Sequence, residues 1–222
     1  MTNKENNWVA LTQKMILEKM NGDSSGHDFW HVQRVVGLAR RLHEKEGGNL
    51  FVIQMTAWLH DIADWKFHAG DTGKGAEEAQ RWMADLGVPV EKIEAICNII
   101  GNLSFKGARV KETELSLEGK IVQDADRLDA MGAIGIARTF AFGGHVGSSL
   151  YDPDRSPTLH DNAQAYVKDR SHTINHFYEK LLLLKARMHT TTARQIAEVR
   201  HQYMEVFLRE FMAEWTFAVA TV

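Results

Sequence analysis

The stretch Leu50-Phe51-Val52-Ile53-Gln54-Met55-Thr56-Ala57-Trp58-Leu59-His60-Asp61-Ile62-Ala63-Asp64 decides how the chain is read. Its first ten residues are apolar nearly all round, so they predict a helix buried on every side, from about Leu50 to His60. That helix ends on an imidazole followed by a carboxylate. Burying a charge is costly unless it is paired or bound to metal. A neutral imidazole beside a carboxylate suits a divalent cation, which removes that cost. Neighbouring residues on a helix point about 100° apart, so both reach one ion only if it lies off the helix end. Further ligands must then come from other helices.

Two flanking segments supply them. Upstream, Gly26-His27-Asp28-Phe29-Trp30-His31 leads into a helix that turns Val32, Val35, Val36, Ala39 and Leu42 inward and stops at Gly47-Gly48. Downstream, apolar Ile121-Val122 runs into Gln123-Asp124-Ala125-Asp126-Arg127-Leu128-Asp129. The expected metal ligands are His31, His60, Asp61 and Asp126. Asp124 and Asp129 stay open as substitutes for Asp126, since a different helix phase would aim either inward. Asp129 alternatively caps the helix or pairs with Arg127.

The rest of the chain is helical in its periodicity. Trp8, Leu11, Met15, Ile16 and Met20 share a face of a first helix ending at Asn21-Gly22-Asp23. A helix follows at about 76–86, and Pro89 opens another with Ile93, Ile96, Cys97 and Ile100 on one side. Residues 117–142 read as one broken helix or two consecutive ones. Two long helices, about 162–187 and 192–215, complete the chain. No strand pair, repeat or linker is evident, so the fold class is all-α. The domain expected is a single one over 1–222, with a metal-site core at about 24–145 and a C-terminal helical part at about 158–222.

Composition narrows the function. Of 222 residues, 26 are basic and 29 acidic, giving a net charge of −3. That field offers no reason to expect a nucleic-acid polymer or a membrane as partner. One cysteine, Cys97, excludes an internal disulfide and suits a reducing compartment. The polar start, Met1 to Asn7, carries no signal peptide, so a cytoplasmic protein is expected. The last two helices are expected to form either a subdomain or the surface of a homodimer.

At these residues the chain resembles the HD-domain metal-dependent phosphohydrolase superfamily: a His, an adjacent His-Asp pair, then a distant Asp. The runs GHDFWHVQRV (26–35), WLHDIADWKF (58–67), IVQDADRLDAMGAIGIARTF (121–140) and INHFYEKLLLLKARMHT (174–190) look like ordered signatures of a bacterial soluble, single-domain subfamily. The resemblance implies an HD-domain helical bundle around one divalent ion, manganese, magnesium, cobalt or nickel. It implies hydrolysis of a nucleotide phosphoester or phosphoanhydride by a metal-activated water, with pyrophosphohydrolysis of nucleoside or deoxynucleoside triphosphates foremost. A nucleotidase or phosphodiesterase is the rival enzyme. A non-catalytic metal- or nucleotide-binding regulatory module is the rival from another class.

Asp64, three residues past Asp61, falls where related enzymes place a catalytic acidic residue, and Asp61 is taken as both ligand and catalytic group. Phosphate needs cations around it. Arg34, Lys66, Lys74, Arg127, His176 and Lys180 are the candidates, with His27 as a further substrate or supporting contact. Arg138 either reaches the pocket or is an exposed or salt-bridged arginine. Gly70-Asp71-Thr72-Gly73-Lys74-Gly75 does not read as a P-loop, because its glycines are too close, Gly follows the Lys, and no strand precedes it. A lid over the site and a plain solvent loop are the two readings that stay open.

Overall fold

The computed structural model describes every residue except 21, 23–25, 27, 64–72, 106, 163, 166–170 and 219–222. Among the described residues nine α-helices form and no strand. They are α1 (Asn3–Lys19), α2 (Phe29–Glu46), α3 (Leu50–Leu59), α4 (Lys74–Asp85), α5 (Val90–Leu103), α6 (Leu117–Asp129), α7 (Gly132–His145), α8 (Thr173–Glu179) and α9 (Thr191–Trp215). The chain is all-α.

Helix α3 is the hub. Phe51, Ile53, Met55, Ala57 and Leu59 are at most 1% exposed, and α1, α2, α5 and α6 pack around it. Asn49 starts it by accepting from the backbone N–H groups of Phe51 and Val52. On α1 the buried stripe is Trp8, Thr12 and Ile16, four apart. Leu11, expected on that stripe, is 40% exposed, while Met15 and Met20 pack partly against the core. The Thr12 hydroxyl bonds the Trp8 carbonyl and accepts from the Trp82 indole, which satisfies it inside the core.

Residues 117–145 are two helices with a sharp corner at Ala130-Met131-Gly132. Gly132 has φ +70°, a conformation L side chains rarely adopt. Gly135 lies so close to the corner that a Cβ there would stand 2.3 Å from the Ala130 carbonyl. The corner ends α6 directly after Asp129.

The long helix expected at about 162–187 is not what the described residues form. Seven-residue α8 stops at Lys180, whose φ/ψ of −142°/−61° is not helical. Two 3-10 turns follow, Leu181–Leu183 and Lys185–Arg187. This tighter winding buries both Leu181 and Leu184, three residues apart, since a 3-10 turn brings i and i+3 to one side. The second long helix is present as α9. Its first turn is held by carboxylates from two other helices. Glu46 of α2 accepts from the Thr192 N–H and hydroxyl, and Asp124 of α6 accepts from the N–H groups of His189 and Thr190. Negative charge at a helix N-terminus is favourable, so α9 is fastened to the body that carries the site. Among the described residues no helix is long and apolar enough to cross a membrane.

Candidate metal centre

Helices α2, α3 and α6 each deliver a side chain to one point. Asp28 caps α2 by accepting from the His31 N–H at 2.8 Å, which sets where the helix begins and so where His31 points. Phe29 stacks on Trp58 with ring centroids 5.9 Å apart, clamping the start of α2 to the end of α3. His60 follows the last residue of α3. A helix end leaves carbonyls without intrahelical partners, and the Nδ1–H of His60 donates to one of them, Ala57, at 2.8 Å. A carbonyl only accepts, so His60 carries its proton on Nδ1 and turns the Nε2 lone pair outward.

His31 is arranged in the same way. It is completely buried, and its Nδ1 lies 2.8 Å from Asp129 Oδ2. Its Nε2 lies 3.3 Å from Nε2 of His60. Asp61 Oδ2 is 3.3 Å from Nε2 of His31 and 3.5 Å from Nε2 of His60. Asp126 Oδ1 is 3.6 and 3.8 Å from the same two atoms. Two imidazole nitrogens whose protons sit on the far side of each ring, with two carboxylate oxygens alongside, make an electron-rich cluster of the kind that can hold a cation at its centre. The donor set therefore fits a divalent metal, and His31, His60 and Asp126 are a group that could hold one. The Asp126 side chain is 38% exposed, so the cluster opens to solvent on that side. Burial and the Arg138 guanidinium push the His31 pKa down, but the neighbouring Asp129 and Asp61 carboxylates outweigh them and leave it raised.

Helix α6 sorts its three aspartates by angle. Asp126 and Asp129 are three apart and share a face, whereas Asp124 lies on the opposite side. Asp126 faces the histidines. Asp129, 2% exposed, accepts from His31, from Nε and Nη2 of Arg34 at 2.7 and 3.1 Å, and from Nη1 of Arg138 at 3.1 Å. The His31 hydrogen bond and the two guanidinium groups hold its carboxyl well below the usual range despite burial. Asp124 holds the start of α9. Of the two substitutes considered for Asp126, then, one braces a histidine and the other caps a helix. Asp129 neither caps α6 nor pairs with Arg127. Its i, i+3 spacing from Asp126 was the available signal.

The expected cations scatter. Arg34 stands beside the cluster through Asp129. Arg138 bonds Asp129 and the Gly26 carbonyl, joining α7 to the approach to α2. Arg127, expected at phosphate, points elsewhere: a residue adjacent to Asp126 is turned about 100° from it. Its guanidinium is 5% exposed and held by Glu112 at 2.5 Å and by the Arg187 carbonyl. Lys74 lies 3.7 Å from Glu77 in the first turn of α4. Lys180 sits 5.6 Å over the Phe105 ring, and His176 lies one turn earlier on α8. Asp64, Lys66 and His27 lie outside the described residues.

A helical body with two histidines and two aspartates turned inward at one helix end defines a class, and the chain belongs to the HD-domain family. The HD domain model matches residues 29–131, which span α2 to the α6–α7 corner. The chain is 41% identical over 193 residues to the Bacillus subtilis protein YpgQ, covering 86% of this chain and 85% of that one. It also superimposes on an HD-superfamily hydrolase from Bacillus thuringiensis with a TM-score of 0.71 and 43% identity, over 96% of this chain and 98% of that one. YpgQ in complex with ADP superimposes with a TM-score of 0.74 and 33% identity, over 95% and 96% of the two chains.

Proposed function

We propose that this protein is a metal-dependent phosphohydrolase that cleaves (deoxy)nucleoside triphosphates between the α- and β-phosphates, releasing pyrophosphate. The observation carrying this reading is the convergence of two lone-pair imidazole nitrogens and two carboxylates from three helices, open to solvent on one side. The ADP complex of YpgQ supports a nucleotide with a phosphate chain as the ligand class.

In this reading His31, His60, Asp61 and Asp126 hold one divalent ion. When bound, such an ion supplies a Lewis acid for phosphoryl oxygen and a water acidic enough to act as nucleophile near neutral pH. The histidines are orienting groups as well as ligands, because Asp129 and the Ala57 carbonyl fix their tautomers. Asp64 is assigned the proton of the attacking water, from its place three residues after Asp61. Arg34 is the cation assigned to substrate phosphate. Lys66, Lys74, His176, Lys180 and His27 are further candidates, and Arg127 is left out because its guanidinium is engaged in the protein interior. Nothing in this set reads a base or a sugar, so discrimination among nucleotides is expected to be modest.

A nucleotide panel with manganese tests the proposal, with pyrophosphate and orthophosphate detected separately. Pyrophosphate from triphosphates, lost in His60→Ala/Asp61→Ala, is expected. Orthophosphate from monophosphates, with triphosphates untouched, sinks the substrate assignment in favour of a nucleotidase. No turnover of any phosphorylated compound by metal-loaded protein leaves a regulatory module that only binds.

A further inference from the structure

Asp129 has more to do than orient one imidazole. Its Oδ2 takes the His31 Nδ1–H at 2.8 Å, while its two oxygens take Nε and Nη2 of Arg34. One buried carboxylate is thereby shared by a candidate metal ligand and by Arg34. Arg34 uses Nε and Nη2 in this fork. Its side chain is 36% exposed, and no described residue bonds Nη1. Arg138 completes the arrangement from α7 by bonding the same Oδ2 and the Gly26 carbonyl.

The charges make the sharing necessary. Arg34 and Arg138 converge on one carboxylate, so without it two guanidinium groups would face each other and a candidate metal ligand with their repulsion uncompensated. Asp129 stands between Arg34 and the imidazole and screens one cation from the other. Without it, Arg34 has no described partner to hold it beside the cluster, and His31 loses the acceptor that keeps its proton on Nδ1. A carboxylate behind a metal-bound histidine also raises its basicity. The fork bond to Arg34 freezes a long side chain in advance, which lowers the entropy cost of meeting an anion.

We infer that Asp129 is a positioning residue on which both metal binding and polyphosphate binding depend. It holds His31 for the ion, and it holds Arg34 so that Nη1 meets a phosphoryl group of a chain whose neighbouring phosphate lies at the ion. The inference rests on the proposed nucleotide-hydrolysing reading for its ligand class, a phosphate chain. It concerns binding alone, so it survives or falls separately from turnover.

The test uses full-length protein with manganese alone and then pyrophosphate as probes, in calorimetry or by the manganese paramagnetic signal. Asp129→Asn is expected to weaken manganese about 10–100-fold, and to weaken pyrophosphate about tenfold even with manganese saturating, a typical loss for one charged hydrogen bond. Arg34→Ala is expected to weaken pyrophosphate to a similar extent, with manganese affinity kept within about twofold. Arg34→Lys, which cannot form the fork, should recover only part of the loss. In the double variant the two effects on pyrophosphate should not add, because Asp129 acts through Arg34. Manganese affinity unchanged in Asp129→Asn, or fully additive losses of pyrophosphate, overturns the inference. If Asp129→Asn does not fold, the Arg34 variants still decide the anion half. Nitrogen NMR of wild-type protein then decides the other half, since a His31 ring protonated on Nε2 alone removes the brace. Binding that follows these expectations in a protein that hydrolyses nothing retains the inference and sinks the hydrolase reading.

Discussion

The carboxylate of Asp124 accepts from three donors at the start of α9: the His189 N–H, shared between its two oxygens, and Thr190 through its N–H at 2.7 Å and its hydroxyl at 2.8 Å. It is two residues from Asp126, yet it faces the other way. The two aspartates therefore serve separate purposes. Asp126→Asn is expected to abolish measurable manganese binding and, with it, the rise in Tm that manganese confers on wild type. A ligand at 100 times its Kd stabilises by about 2.7 kcal/mol. Asp124→Asn should keep that metal-dependent rise. It should unfold more easily by about 1–3 kcal/mol, the range for disturbing buried hydrogen bonds. Denaturant melts with manganese and with chelator check both. Loss of metal binding in Asp124→Asn with a normal melt would exchange the two roles.

Arg127 tests the same angular argument from the other side. Its guanidinium joins Glu112 to the carbonyl of Arg187, and Arg187 returns to Glu112 at 3.1 Å. The charges and hydrogen bond of these arginines pull the Glu112 carboxyl below its usual range against the pull of burial. Arg127→Ala removes the hub of this network and strands Glu112. The expected result is a lower melting temperature, from a loss of roughly 1–3 kcal/mol, with the KM of surviving enzyme for nucleotide nearly unchanged. A large rise in KM with normal stability would return Arg127 to the substrate.

The acid side of the stability profile depends on Glu46. The Thr192 hydroxyl and backbone N–H lower its pKa from the ordinary glutamate value. A depressed folded-state pKa means that the unfolded chain binds the proton more readily. The contribution of Glu46 is thus complete above about pH 4.5 and disappears as pH falls through the lower folded value. Glu46→Gln should be less stable than wild type at pH 7, by at most about 1 kcal/mol because this carboxylate is largely solvent-screened. The two proteins should converge once pH falls below the depressed folded-state value. A difference that is constant from pH 7 to pH 3 would show that charge has no part in fastening α2 to α9.

How far the sequence alone reveals these features depends on how local each one is. The hub helix announces itself, because residues 50–59 offer no polar face to water. The four candidate ligands are legible as residue types at the ends of apolar runs, and His31, His60, Asp61 and Asp126 do come together. The sorting of Asp124, Asp126 and Asp129 needs the phase of α6, set by the Ser116 cap and by what packs on each side. Arg127 shows that adjacency in sequence is not proximity, since one residue along a helix turns the side chain about 100°. The 3-10 turns after α8 are hidden because Leu181 to Leu184 suit a helix by composition. Only the packing of α8 shows that Leu181 and Leu184 must share a side.

The corner after Asp129 carries the last prediction. Asp129 is the final residue of α6, and Gly135 lies in the first turn of α7, where its missing Cβ lets the Ala130 carbonyl approach. A methyl at 2.3 Å from that carbonyl carbon and oxygen cannot be absorbed by rotating a side chain, because the obstacle is backbone. Gly135→Ala must therefore push α7 away from the end of α6. Overpacking of this kind costs typically about 1–3 kcal/mol. The displacement also acts on the bond between Arg138 of α7 and Asp129, and through Asp129 on His31. Reduced stability is thus expected together with weaker manganese binding, although residue 135 touches no ligand. Gly144 is the control, since it also lies on α7 but has nothing within 4 Å of the place a methyl would occupy. Gly144→Ala should leave both properties near wild type. If Gly135→Ala lowers the melting temperature yet binds manganese as tightly as wild type, the brace on His31 does not depend on the position of α7.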